Sequence, residues 1–241
     1  MKCVILAAGY ATRMYPLTEN FPKPLLEVGG KPILDWLVDD LSSVVEEFIV
    51  ISNHKYAEQF KAWSSGKPAI VADDGTETNE TRLGAVKDIQ FVIDQLGIEG
   101  DVLVLAGDNV LDFSLRPFIA YAQDKHTSCT LRYREDDLEK LRRAGVSEVD
   151  SDDVLISFEE KPQKPKSNWC TPPFYYYTAS DVLKIKDAIA DGCGTDAPGS
   201  LVAWMCQHST LHSMVMPGKR YDIGNLEQYY QMKDWYAGPD K

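Results

Sequence analysis

With 241 residues, 44% of them hydrophobic and 26% charged, the chain can bury the core of one large or two small globular units. A net charge of −12 argues against a general nucleic-acid binder, which needs a basic face. Small anionic ligands stay open, because a few cations in a cleft can override a distant acidic surface.

No apolar run of about 18 residues occurs, so no membrane-spanning helix is expected. The N-terminus, Met1-Lys2 followed by VILAAG, lacks the long apolar region and cleavage site of a secretory leader. Cys3, Cys129, Cys170, Cys193 and Cys206 are scattered without CxxC spacing, which implies free thiols in a reducing, cytoplasmic setting. His54, His126, His208 and His212 show no metal-ligand spacing.

In chain order, CVILAA (3–8), EFIVIS (47–52), PAIVA (68–72) and DVLVLAGD (101–108) are continuous apolar runs of the kind buried on both faces of a parallel sheet. Helical patterns separate them at Pro32–Val45, Ala57–Ser64 and Thr81–Gln95. The alternation predicts an α/β fold with a mixed, mainly parallel sheet and a site at the strands' carboxyl ends. The second half changes character. TSCTLRYR, VLISFEEKP and WCTPPFYYYT read as strands, and DVLKIKDAIADG and SLVAWMCQH as helices, so a β-rich lobe should extend the same domain. Tyr175, Tyr176 and Tyr177 should alternate in facing, with only some lining a pocket. LEQYYQMKDWYAG reads as a closing amphipathic helix.

After the first strand comes LAAGYATRM. Small residues at 7, 8 and 9 let the backbone approach a ligand, Gly9 is free to take a positive φ, and successive amides can cradle phosphate oxygens. The GxxxxGK[ST] loop and GxGxxG are both absent. Arg13 and Lys23 follow, the lysine between Pro22 and Pro24, which predicts a stiff extended segment. VLVLAGDN ends its apolar run at Asp108, and KRYDIGNLEQY sets Asp222 in a polar turn before a helix. Either aspartate could cap a helix. As a pair they suit Mg²⁺, a hard cation that takes one or two carboxylates and fills its shell with phosphate and water.

LAAGYATRMYPLT…PKPLLEVGGKPIL resembles the N-terminal signature of the sugar-1-phosphate nucleotidyltransferases, the nucleotide-sugar pyrophosphorylases. AGVSEVDSDDVLISFEEKPQKPKSNWCTPPFYYYT resembles the glucose-1-phosphate thymidylyltransferase pattern of a Gly-Val pair, a Glu-Lys-Pro and a PKSN leading to an aromatic strand.

The resemblance implies a three-layer Rossmann-like fold of the nucleotide-diphospho-sugar transferase type with a sugar-binding β-rich lobe. It implies a single domain, with residues 1–110 mainly nucleotide-binding, 111–225 sugar-phosphate-binding and 226–241 a C-terminal helix. It assigns catalysis to Arg13 and Lys23, and nucleotide binding to Leu6, Ala8, Gly9, Thr12 and Gly84, with Arg82 near the base. Sugar-phosphate binding falls to Gly145, Glu160 and Lys161, and Mg²⁺ to Asp108 and Asp222, all around one pocket. The implied partners are a nucleoside triphosphate and a sugar-1-phosphate, without nucleic acid or membrane, and a homo-oligomer stays open.

Three departures stand out. Tyr10-Ala11 replaces a glycine carried by many relatives, and Ala144 a frequent tyrosine. Lys23-Pro24 resembles uridylyltransferases more than the Lys-Gln of thymidylyltransferases, so dTTP and UTP both stand. No hexapeptide repeats follow Asp222, so a catalytic domain without the β-helix of some relatives is expected. Two alternatives remain: a cytidylyltransferase acting on a phosphate such as phosphocholine, and a non-catalytic nucleotide-sugar-binding regulator. Asp150-Ser151-Asp152 has the DxD form of a glycosyltransferase but falls in a predicted hairpin turn.

Overall fold

The computed structural model describes residues 1–237. The chain divides into two compact units, each drawn from separated segments. The first comprises Cys3–Arg82, Ala106–Leu115 and the chain from Gly218 onward; the second comprises Leu83–Leu105 and Arg116–Pro217, with Met1–Lys2. The class is α/β with a mixed sheet, as the alternation of patterns implied.

In the first unit the strands Lys2–Leu6, Glu47–Ser52 and Ala69–Asp73 lie side by side, the last two parallel with Ile49 opposite Ile70. Cys3 to Ile5 and Phe48 to Ile51 are wholly buried, which is why these runs do not alternate with polar residues. Helix Ile33–Leu41 buries Ile33, Leu34, Leu37, Val38 and Leu41 along one stripe; it is shorter than predicted, turning out of the helix after Leu41. Helix Ala57–Ser64 has its predicted bounds.

An antiparallel ribbon joins Asn109–Leu111 to Arg220–Asp222, so residues from the middle and end of the sequence become neighbours. Helix Leu226–Ala237 seats Tyr229 and Met232 in a cluster with Met14, Val28, Ile33, Val110 and Ile223. The tail of the segment expected to close the chain, 238–241, lies outside the described residues.

The second unit is mostly antiparallel. Its strands run in the order Leu155–Glu160, Gly145–Val149, Trp169–Thr171, Ser128–Arg134, Phe174–Tyr177 and Val102–Ala106, with Leu211–Val215 parallel to Ser128–Arg134. Tyr175, Tyr176 and Tyr177 are at most 3% exposed, so alternation sends them to two buried faces and none to the surface. The helix expected from Thr81 begins only at Ala85, because Gly84 precedes it at φ 90°. DVLKIKDAIADG breaks into two short helices, Ala179–Val182 and Ile185–Ala190. Asp150 caps the hairpin turn, its Oδ1 accepting from the amides of Asp152 and Val154, so the DxD-like triplet serves the turn.

Candidate active site

The loop after the first strand is pinned from outside. The Ala7 amide donates to the Ile51 carbonyl (3.0 Å), Asn53 Nδ2 to the Ala8 carbonyl (2.9 Å) and Tyr10 Oη to the Thr76 carbonyl (3.0 Å). Asn53 is fully buried, so its side chain is committed to this loop. Leu6 meets the second carboxylate-bearing turn directly, its carbonyl accepting from the Gly107 amide at 3.1 Å.

Gly9 is exposed, and a Cβ built on it meets nothing within 4 Å. The left-handed position is Ala11, at φ 46°, and not Gly9. An alanine held there costs about 1–2 kcal/mol relative to a right-handed conformation. Thr18 Oγ1 donates to the Ala11 carbonyl at 2.8 Å and helps to hold it. A single 3₁₀ turn, Thr12–Met14, then exposes Thr12 and Arg13 while burying Met14 as an anchor.

Lys23 is also placed differently from its expectation. It opens a 3₁₀ turn, Lys23–Leu25, with only Pro22 before it extended. The result is still a restrained lysine: it is 8% exposed, and its Nζ donates to Asp108 Oδ2 at 2.5 Å. Asp108 lies in the turn after strand Val102–Ala106 and is followed by another strand, so it caps no helix. Its Oδ1 accepts from Asn109 Nδ2 at 2.8 Å. Asp222 ends its own strand, while Asn225 Oδ1 accepts from the Gln228 amide and caps the final helix.

The ribbon register sets Asp222 directly opposite Asn109, hence beside Asp108. The Asp222 carboxyl is held above its ordinary value, first by desolvation and then by the charge of Asp108; Arg220, Lys23 and Arg13 pull it back down. Four charged groups, Asp108, Arg220, Lys23 and Arg13, therefore act on the Asp222 carboxyl within the first unit. The Asp222 side chain stays 49% exposed, leaving it open to a cation.

This donor set fits Mg²⁺. Two hard carboxylates repel each other within reach of the Arg13 charge, and each carboxylate oxygen keeps a lone pair beyond its present partner. Among the described residues no group of three or more His, Cys, Asp or Glu could hold a metal, so a two-carboxylate site is the arrangement available.

The second unit carries the other predicted residues. Glu160 pairs with Gly145 across neighbouring strands. The space over Gly145 is filled by Phe158 and the Glu160 carboxylate, and a Cβ at Gly199, the first residue of helix Gly199–His208, would collide with Glu160 Oε2. Burial raises the Glu160 carboxyl, with the charge of Lys161 opposing. Lys161 takes a left-handed φ of 51°, its amide donates to the Ala144 carbonyl at 3.0 Å, and its Nζ lies 4.0 Å from Glu160 Oε1. A non-glycine residue in that conformation is the kind of local strain that folds retain at functional points. Gly84 faces Thr195, whose carbonyl oxygen would lie 2.6 Å from an added Cβ. Its missing side chain thus answers to the chain's own packing.

The family model described as "Nucleotidyl transferase" matches residues 2–237. The chain belongs to the nucleotidyl transferase family.

Among curated family members, the bifunctional protein GlmU of Methanococcus aeolicus is 31% identical over 182 residues, 73% of this chain and 40% of that one. The UTP–glucose-1-phosphate uridylyltransferase AglF of Haloferax volcanii is 28% identical over 186 residues, 74% of this chain and 72% of its own. Against solved structures, a UDP-glucose pyrophosphorylase complexed with UDP-glucose superposes with a TM-score of 0.80 at 19% identity, covering 98% of both chains. A Bacillus anthracis protein assigned as a glucose-1-phosphate thymidylyltransferase gives 0.84 at 22%, covering 100% of this chain and 97% of that one. At those identities the superpositions establish the fold. The chain spans 40% of the GlmU length and 59% of a similar Fervidobacterium nodosum glucose-1-phosphate adenylyltransferase.

In this nucleotidyl transferase, sequence reasoning overlooked Asn109 and Arg220. Arg220 Nη1 donates to Asn109 Oδ1 at 2.6 Å and lies 3.7 Å from Asp222 Oδ2. Arg220 and Asp222 stand two positions apart in one strand and so share a face; that spacing was the available signal. Gly199 and Asn53 gave no such signal, since neither stands near a motif residue in sequence.

Proposed function

We propose that this chain is a sugar-1-phosphate nucleotidyltransferase, transferring a nucleoside monophosphate from UTP or dTTP to a glucose-1-phosphate-like acceptor with release of pyrophosphate. The observation that carries the reading is the meeting of Asp108 and Asp222 with Lys23, Arg13 and Arg220 acting on the same carboxylate. An anion-reading loop beside a cation-reading acidic pair is the donor set that a metal-bound triphosphate requires. The uridylyltransferase likeness and the Lys23-Pro24 dipeptide support UTP or dTTP.

In the step proposed, an oxygen of the sugar phosphate forms a bond to the α-phosphorus as the bond to the pyrophosphate oxygen breaks, and the electron pair leaves with pyrophosphate. The attacking phosphate is already an anion near neutral pH, so no general base is required. What the residues supply is alignment and charge. The exposed backbone at Gly9, following Ala8, faces the nucleotide with Thr12; Arg13 holds the departing β,γ-phosphates. Lys23 exchanges Asp108 for the α-phosphate, moving a restrained charge onto the reacting group. Asp108 and Asp222 would hold Mg²⁺, which when bound neutralises charge on the triphosphate. In the second unit Lys161 receives the incoming phosphate, Glu160 accepts sugar hydroxyls beside Gly145, and the Gly84 backbone serves the base.

The test incubates the protein with Mg²⁺, each common nucleoside triphosphate and a panel of sugar-1-phosphates, and measures pyrophosphate. Turnover with UTP or dTTP and glucose-1-phosphate is expected. Activity confined to CTP and phosphocholine, or none with any pair, overturns the reading.

A further inference from the structure

Asn109 and Arg220 do more than fill the ribbon. Asn109 is wholly buried, and both ends of its amide are committed. Nδ2 donates to Asp108 Oδ1 at 2.8 Å and to the Ala106 carbonyl at 3.3 Å, while Oδ1 accepts from Arg220 Nη1 at 2.6 Å. The same Arg220 nitrogen lies 3.7 Å from Asp222 Oδ2. Two hydrogen bonds and one ion pair thus connect Asp108 through Asn109 and Arg220 to Asp222.

The register explains why three of these groups share one face, with Asp108 in the turn just before them. Asp222 is opposite Asn109, and Arg220 lies two residues before Asp222, so the pleat turns all three side chains the same way. Tyr221 and Val110, one step off, face the apolar cluster with Ile223 and Met232. The ribbon is therefore split into a polar face carrying the carboxylates and an apolar face anchoring it.

The energetic demand is plain. Two carboxylates brought together repel, and a flexible pair would splay apart and lose the spacing a small cation needs. A half-buried guanidinium, its side chain 17% exposed, offsets that repulsion through its ion pair with Asp222 and is itself held by its hydrogen bond to Asn109.

We propose that Arg220, acting through Asn109, is a positioning residue that sets the separation of Asp108 and Asp222 and so the affinity of the divalent-metal site. The inference rests on the reading of these two aspartates as metal ligands. Arg220 touches neither phosphate nor metal; it orders the groups that do, a kind of support whose loss typically weakens metal binding or activity about 10–100-fold.

The experiment titrates the full chain with Mn²⁺ alone, without nucleotide, following free Mn²⁺ by electron paramagnetic resonance, with thermal unfolding run in parallel. Wild type, Arg220→Met, Arg220→Lys and Asp222→Asn are compared. The expected result is Mn²⁺ binding by wild type, its loss in Asp222→Asn, and about 10–100-fold weaker binding in folded Arg220→Met. Arg220→Lys, which keeps the charge but not the planar fork, should fall between them. In turnover assays Arg220→Met should regain rate as the metal concentration rises, which a general loss of structure would not allow.

Arg220→Met or Arg220→Lys binding Mn²⁺ within about twofold of wild type overturns the proposal while leaving the metal ligands standing. Equal Mn²⁺ binding by wild type and Asp222→Asn overturns the ligand assignment itself, and the proposal with it.

Discussion

Two acid neighbourhoods, one in each unit, have opposite fates. Asp181, in the second unit, is 4% exposed; Ser128 Oγ and Ser209 Oγ each donate to it at 2.5 Å and Lys184 Nζ at 2.9 Å. Desolvation alone would raise its carboxyl, but those donors and the Lys184 charge outweigh it and carry the group below its ordinary value. Asp222, in the first unit, is pushed the other way by desolvation and by Asp108. A satisfied carboxylate holds a fold together. Asp222, crowded by the charge of Asp108, instead carries a repulsion that a bound cation would relieve, and that difference separates structure from candidate function.

Breaking the crowded site should have the largest effect. Lys23→Ala or Asp108→Asn should lower turnover at least about a hundredfold, the loss of one preorganised charge, with the chain still folded. Near-normal pyrophosphate release by either variant would show that the charges at this turn do not serve the reaction.

Breaking the satisfied site should instead cost stability. Asp181→Asn is expected to lose about 1.5–3 kcal/mol at neutral pH, the range for hydrogen bonds to a charged group. Because the native carboxyl lies below its unfolded value, the wild-type advantage is full above 3.8 and fades as the pH falls through the lowered native value. Thermal unfolding of both proteins from neutral to acid pH measures it, and a difference independent of pH would refute the linkage.

A smaller change sharpens the loop. Ala11→Gly should stabilise the protein by about 0.5–1 kcal/mol, since relief of the left-handed strain exceeds the added chain entropy. Chemical denaturation would read it, and a destabilised variant would mean that the alanine methyl is needed for packing.

The smallest effect expected is the most diagnostic. Because burial and Asp108 raise the native Asp222 carboxyl, ionising it costs stability; that cost shrinks as the pH falls through the raised value and is gone below the ordinary 3.8. Metal-free Asp222→Asn should therefore melt slightly higher than wild type at neutral pH, opposite in sign to Asp181→Asn. A lower melting temperature would place Asp222 among the structural acids.

Much of this was readable in the sequence, for reasons that can be named. The strands Lys2–Leu6 and Glu47–Ser52 were visible because wholly buried strands leave unbroken apolar runs. Lys23 and Arg13 were visible through their short spacing and flanking prolines, although proline rules misjudged the backbone at Lys23, where tertiary packing imposes a 3₁₀ turn. The left-handed residue was misjudged for a similar reason. Glycine prefers no hand, so Gly9 could announce freedom but not its use, and the strain fell on Ala11. Gly199 stayed hidden because what it accommodates, the Glu160 carboxylate, belongs to a distant strand.

By itself the sequence determined the α/β class, the small-residue loop after the first strand and the identities of the charged residues, because periodicity and residue chemistry are local. Only the tertiary structure decided that Asp222 lies opposite Asn109, that Lys23 is bonded to Asp108, and that Arg220 links the two aspartates. Such pairings depend on strand register between segments far apart along the chain. Register is settled by which face can be buried, a property of the assembled core that no single segment contains.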